Sequence, residues 1–172
     1  MLQELLDETN ILLKTNDYEN TYNIMKKKFN IEDIKLIFSL LNIDISTNVQ
    51  KENRLNGFRQ NVIDRYHNCI ITGCKDISRC DVCHIKPFNE CTFKQKYDVN
   101  NGLVLRKDLH PLFDNYKMSI NPYEKTINIL NVDDDDITKY NNKVVNIFDE
   151  SLEYVKLHYE KFLIINKQNS TK

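Results

Sequence analysis

The 172 residues contain no alanine, no tryptophan and only three glycines and three prolines, while Asn, Ile, Lys and Tyr abound. The abundant residues have AT-rich codons, so the bias reads as a property of the source genome rather than of the fold. Where Gly, Pro, Cys and His survive such a bias, they are read as having a task. Net charge is also missing: 24 basic against 25 acidic residues leave −1, which excludes a strongly basic nucleic-acid coat and an acidic tail protein. No apolar run approaches the roughly 18 residues of a membrane helix, and mean hydropathy is −0.55. The first residues, Met1-Leu2-Gln3-Glu4-Leu5-Leu6-Asp7-Glu8, have no cationic stretch of the kind that opens a secretory signal. No internal repeat recurs. What is present is an apolar fraction of 41%, enough to close a core at this length. The expected class is a soluble, intracellular globular protein of one domain or slightly more, with no membrane partner.

The scarce residues are clustered. Gly57, Gly73, Gly102, Pro87, Pro111 and Pro122 all fall between positions 57 and 122. So do the five cysteines (Cys69, Cys74, Cys80, Cys83, Cys91) and three of the four histidines (His67, His84, His110), leaving only His158 outside. Turn punctuation and ligand chemistry are therefore concentrated in one region. Charge divides in a similar way. Residues 1–50 carry 5 basic and 8 acidic groups, residues 51–110 carry 11 and 7, and residues 111–172 carry 8 and 10. A basic centre between acidic flanks suits an anionic partner, although an ordinary mixed surface fits the same numbers.

Residues 1–50 read as helical. Leu2, Leu5, Leu6, Leu12 and Leu13 recur at roughly helical spacing, and Tyr18 to Phe29 continues without a breaker. Ile34, Ile37, Phe38 and Leu41 form an amphipathic stripe, with Glu32 and Asp33 near its start, where the helix dipole favours acids. The spacing predicts a helix over 51–66, with Leu55, Phe58, Val62, Ile63 and Tyr66 on one face and Arg54, Arg59 and Arg65 around the other sides.

The pattern then changes. Residues 69–73 read as a short buried strand ending in a turn, 79–85 as a second strand, 87–100 as a polar loop and 102–105 as a third strand. A short helix is expected over 108–116, capped by Asp108 and carrying Pro111 in its first turn. A hairpin follows over 118–120 and 126–130. The run Asp133 to Asp136 lacks the spaced ligands and the glycine of a calcium loop and reads as a solvated helix start. A long helix is expected over 138–165, seamed by Val144, Ile147, Phe148, Leu152, Val155, Tyr159 and Phe162, with a frayed tail after it. His67 and His158 are assigned to the surface or to helix packing. The division is 1–50 as a helical N-terminal region, 51–132 as the core, and 133–172 as a C-terminal helix and tail.

Three segments carry chemistry: Cys80-Asp81-Val82-Cys83-His84-Ile85-Lys86-Pro87, Asn100-Asn101-Gly102-Leu103-Val104-Leu105, and Asp108-Leu109-His110-Pro111-Leu112-Phe113-Asp114. Their order is strand, loop, strand, helix. The pattern resembles the HNH endonucleases, whose core is a ββα-metal unit. The resemblance is carried by His84 in "DxxHIxP" wording, Asn101 in "NGLxL", and His110 nine residues later in "LHxLFD". The lead-in, from Phe58-Arg59 through Tyr66 to Cys69-Ile70-Ile71-Thr72-Gly73, resembles a restriction-type subgroup. The expected fold is α+β: a ββα core flanked by N-terminal helices and a long C-terminal helix.

The resemblance implies roles. His84 is the general base that takes a proton from water, Asn101 orients it, and His110 binds one divalent ion. Asp114 lies four residues after His110 on the same helix face and is the next candidate ligand. Phosphodiester hydrolysis needs a base that titrates near neutrality and a cation against the developing negative charge. Cys83 departs from the common pattern, in which Asp or His precedes the base. Either it ligates a transition metal, or it packs and Asp81 or water takes its place. The ion is Mg, Mn, Ni or Zn on this reading.

Cys69-x4-Cys74 and Cys80-x2-Cys83 also have zinc spacing, so a structural zinc is a second candidate. An odd cysteine count argues against a disulfide framework. Arg59, Lys86 and Arg106 are candidate DNA-phosphate contacts. The expected activity is metal-dependent cleavage of DNA, most naturally double-stranded, with the terminal helices as scaffold and homodimer face. The alternatives are a non-catalytic DNA-binding module of the same fold and a zinc-stapled interaction protein.

Overall fold

A computed structural model describes residues 4, 5, 7, 9, 18–41 and 48–169. The protein is α+β, and the chain divides into two compact units: 1–56 with 89–97, and 57–88 with 98–172. The expected early helix falls mostly on Leu2, Leu6, Leu12 and Leu13, which lie outside the described residues.

In the first unit, α1 is Tyr18–Met25 and α2 is Ile31–Leu40. Asn30 caps α2 by accepting the Glu32 N–H at 2.8 Å, and Glu32 and Asp33 occupy its first turn. The predicted stripe forms the core here: Ile34, Ile37 and Phe38 are buried with Leu5 and Met25, and Tyr22 and Phe29 pack against them. Leu41 lies one residue past the helix and stays partly exposed.

Helix α3, Asn48–Tyr66, runs for 19 residues through Gly57. Within the second unit its buried positions are Phe58, Val62 and Tyr66, the helical spacing read from the sequence. Strands β1 (Cys80–His84) and β2 (Gly102–Arg106) pair antiparallel, with Cys80 opposite Arg106 and His84 opposite Gly102. Leu103, Val104 and Leu105 are all fully buried, so β2 has no solvent face. Gly102 is required by close approach: a Cβ there would meet the Phe58 ring at 2.9 Å and would also run into Val62. A short helix α4, His110–Asp114, completes a strand–strand–helix unit. β3 (Met118–Asn121) and β4 (Thr126–Ile129) form the expected hairpin. After α5 (Asp135–Thr138), α6 runs from Leu152 to Asn169. No helix among the described residues is long and apolar enough to cross a membrane.

Three expectations are corrected. Residues 69–73 form a tight turn rather than a strand: Gly73 N–H donates to Cys69 O at 2.9 Å, and Cys69 N–H to Cys74 O at 3.0 Å. Gly73 has φ +73°, open to glycine without strain. A short apolar run is equally compatible with a buried turn, and periodicity does not separate the two.

Asp108 does not cap α4. Its carboxylate binds the Arg106 guanidinium instead, and the helix starts after Leu109 with no side-chain cap. Pro111 does sit in the first turn. The C-terminal helix starts at Leu152, not at 138. Between α5 and α6 the chain lies along β4 and the residue before it: Ile127 N–H donates to Lys143 O at 2.9 Å, and Val145 N–H donates to Lys125 O at 2.8 Å. Asn142 is left-handed, which breaks any helix there, and Val144 is exposed instead of joining an apolar seam.

Candidate active site

β1 ends at His84, and the loop after it turns back over Asn101. Asn101 is fully buried and grips that loop three ways. Its backbone carbonyl accepts Ile85 N–H at 2.9 Å, its Oδ1 accepts Lys86 N–H at 2.8 Å, and its Nδ2 donates to Lys86 O at 3.3 Å. Asn101 therefore acts on the backbone just after His84. Rings bracket the imidazole itself: Phe58 stacks on it at 4.4 Å with planes 14° apart, and Phe88 meets it edge-on at 5.4 Å.

His110 opens α4. Its Nδ1 lies 3.2 Å from Asp81 of β1, and its Nε2 lies 3.2 Å from Asp114, one turn further along α4. Asp81, His110 and Asp114 thus form a row through opposite nitrogens of one ring. The Asp114 carboxylate raises the His110 pKa above its usual value; partial burial works against this, and Asp81 adds to it. A cleft of about 310 Å³ is lined by His84, His110 and Asp114 together with Val82, Cys83, Pro87 and Phe88.

Cys83 is buried, with its Sγ 3.7 Å from the Leu103 carbonyl oxygen, and burial pushes its thiol pKa well up. Burial holds Cys80 up as well, to about 11. Cys69 Sγ accepts backbone N–H groups from Arg106 at 3.2 Å and Thr72 at 3.4 Å. All five cysteines are free. Among the described residues no three or more His, Cys, Asp or Glu side chains are arranged to hold a metal ion.

The basic candidates separate. Lys86 is adjacent to the site through the loop that Asn101 holds, and Arg59 is exposed on α3 beside Phe58. Arg106 is drawn elsewhere: it forms a two-pronged ion pair with Asp108 and lines a different cavity with Asp134, Asp136 and Lys139. Phe58 was legible as an apolar helix position but not as the ring that carries His84, since helical periodicity does not reveal what a buried face touches.

A histidine at the end of one strand, an asparagine pinning its loop, and a histidine–carboxylate pair on the following helix lie together on one ββα unit. Residues 69–121 match the family model described as HNH endonuclease. No curated protein matches the chain.

HNH nucleases generally use a divalent metal, and the donor set can be tested against one. His110 Nε2 and Asp114 are neighbours on one helix face, and Asp81 occupies the other ring nitrogen, as carboxylates commonly do behind a ligating histidine. One imidazole and one carboxylate, with water and substrate phosphate for the rest, suit a hard or borderline divalent ion. The donors fit.

Proposed function

We propose that this protein is a metal-dependent endonuclease that hydrolyses phosphodiester bonds of DNA, with double-stranded DNA as substrate. The observation that carries the reading is the single cleft lined by His84 from the strand end and by His110 and Asp114 from the helix. A candidate base and a candidate cation site share one space there.

In this mechanism His84 takes a proton from the attacking water. Imidazole is suited to that step because its ordinary pKa lies near neutral pH. Phe58 and Phe88 fix the plane of its ring, and Asn101 fixes the backbone that follows it. His110 and Asp114 hold the ion, and Asp81 orients His110 from behind through Nδ1. A divalent ion bound there supplies positive charge against the scissile phosphate and the leaving 3′ oxygen. Cys83 is a packing residue on this reading, its neutral thiol directed at Leu103 O. Arg59 and Lys86 contact phosphates and position the duplex without reading its sequence.

The test is cleavage of supercoiled plasmid with Mg²⁺, Mn²⁺, Ni²⁺ or Zn²⁺. Wild type should cut with at least one of them. His84→Ala and His110→Ala should each lose 10²-fold or more, on the order expected for a general base or a catalytic ion. Undiminished cleavage by His84→Ala would remove the assigned base. Salt-dependent DNA binding with no cleavage under any of the four metals would leave a binding module in place of an enzyme.

A further inference from the structure

The C-terminal helix lies outside the segment that matches the nuclease family, yet it carries polar side chains in its buried stripe. Val155, His158, Phe162 and Asn166 are its buried positions, spaced so that they share one side of α6. Both polar members aim at the end of α4. His158 Nε2 lies 3.1 Å from the Phe113 carbonyl oxygen, and its Nδ1 lies 2.8 Å from Ser119 Oγ. A carbonyl can only accept, so Nε2 carries the proton and Nδ1 accepts from the Ser119 hydroxyl. The neutral ring is satisfied at both nitrogens. It also stacks on Phe113 at 3.8 Å and on Tyr116 at 4.7 Å. Two turns further along, Asn166 Nδ2 donates to Tyr116 O at 2.9 Å, while Asn166 Oδ1 accepts from Asn131 at 2.8 Å. Tyr116 sits at φ +54°, a conformation that its surroundings must hold.

Apolar residues would fill this stripe without the cost of desolvating polar groups. What the hydrogen bonds add is direction. Helix α4 has only five residues, too few to define its own geometry. His110 is its first residue, Asp114 its last, and Phe113 directly precedes Asp114.

We propose that His158, assisted by Asn166, is a positioning residue. It fixes the C-terminal end of α4 through the Phe113 carbonyl and so sets the Asp114 carboxylate relative to His110. The inference rests on the nuclease reading for the role of Asp114, and it extends the working site to α6, beyond residues 69–121.

The experiment compares the full chain with His158→Phe, His158→Gln and Ser119→Ala. Phe keeps the stacked ring and loses both hydrogen bonds. Gln loses the ring and keeps an N–H that reaches the Phe113 carbonyl. Mn²⁺ affinity by calorimetry should fall about tenfold in His158→Phe, as for loss of a group that orients a ligand, and recover in His158→Gln. Amide hydrogen exchange over 113–117 in the metal-free protein should quicken in His158→Phe and not in His158→Gln. If the Phe variant matches wild type in both readouts and the Gln variant is the impaired one, the ring only packs and the proposal is overturned. Should His158→Phe fail to fold, Ser119→Ala decides: faster exchange over 113–117 supports positioning, and unchanged exchange overturns it. A wild type that binds none of Mn²⁺, Mg²⁺, Ni²⁺ and Zn²⁺ overturns the nuclease reading alone, because the exchange arm needs no metal.

Discussion

The rings of Phe58 and Phe88 bracket His84. Phe58 covers one face of the imidazole at 4.4 Å, so Phe58→Leu keeps an apolar side chain of the helix face and removes the flat surface. The expected result is a drop in kcat of about tenfold with little change in KM for DNA, and a stability loss of about 1–2 kcal/mol from the smaller buried side chain. Steady-state cleavage alongside urea unfolding separates the two effects. An unchanged kcat would mean that Phe58 only fills space.

At His110 the informative change is Asp81→Asn. The amide keeps the size of the carboxylate and can still bond Nδ1, but it removes the charge behind the ring. Metal affinity should fall by 10–100-fold, the usual cost of losing such a partner, with the fold intact by circular dichroism. Equal affinity would show that Asp81 neither orients nor polarises His110.

Among the elements, Gly102 joins fold to chemistry. It starts β2, lies opposite His84 in the ladder, and leaves room for Phe58 and Val62 of α3. Gly102→Ala should destabilise by about 1–3 kcal/mol through overpacking and should also lower cleavage, since the ring it displaces is the one stacked on His84. Measuring both decides the point: lost stability with full activity would uncouple Phe58 from His84.

The same region shows what a sequence can state. Strand, loop, strand and helix were legible from 79 to 116 because histidine, asparagine, glycine and proline punctuate them at fixed spacing. The turn at 69–73 was not, because a run such as Cys69-Ile70-Ile71 satisfies a buried strand and a buried turn alike. The segment 139–148 was misread as helix because its Val and Ile residues fit an apolar seam, while left-handed Asn142 and the pairing with β4 are tertiary facts. Of the candidate site, His84, Asn101, His110 and Asp114 were proposed through one family pattern. Asp81 was readable only as the alternative to Cys83 in the metal shell, and the stack of Phe58 was not readable, since it depends on which distant segment folds alongside. Arg106 illustrates the same limit for surface charge: its partner, Asp108, is two residues away, and no pattern distinguishes a paired arginine from a phosphate contact.

For the molecule as a whole, the buried His158 ties stability to pH. Its desolvated imidazole is held down at about 4, from an ordinary value of 6.5. Between those values the unfolded chain binds a proton that the native protein refuses. The contribution of His158 is therefore complete above pH 6.5 and is lost progressively as pH falls toward 4. Across that window the difference is worth about 3 kcal/mol. His110, raised by Asp114, acts in the opposite sense in the metal-free protein: its contribution is full below its unfolded pKa and disappears as pH rises through the folded one. The two windows are separable. Urea unfolding from pH 4 to 8 should show wild type losing stability steeply below 6.5, with His158→Gln shallower in that range and unchanged above it, where His110 titrates. Parallel curves for the two proteins would mean that the imidazole at 158 ionises without cost, and that the polar link between the C-terminal helix and α4 is not the dry, fully bonded contact its geometry describes.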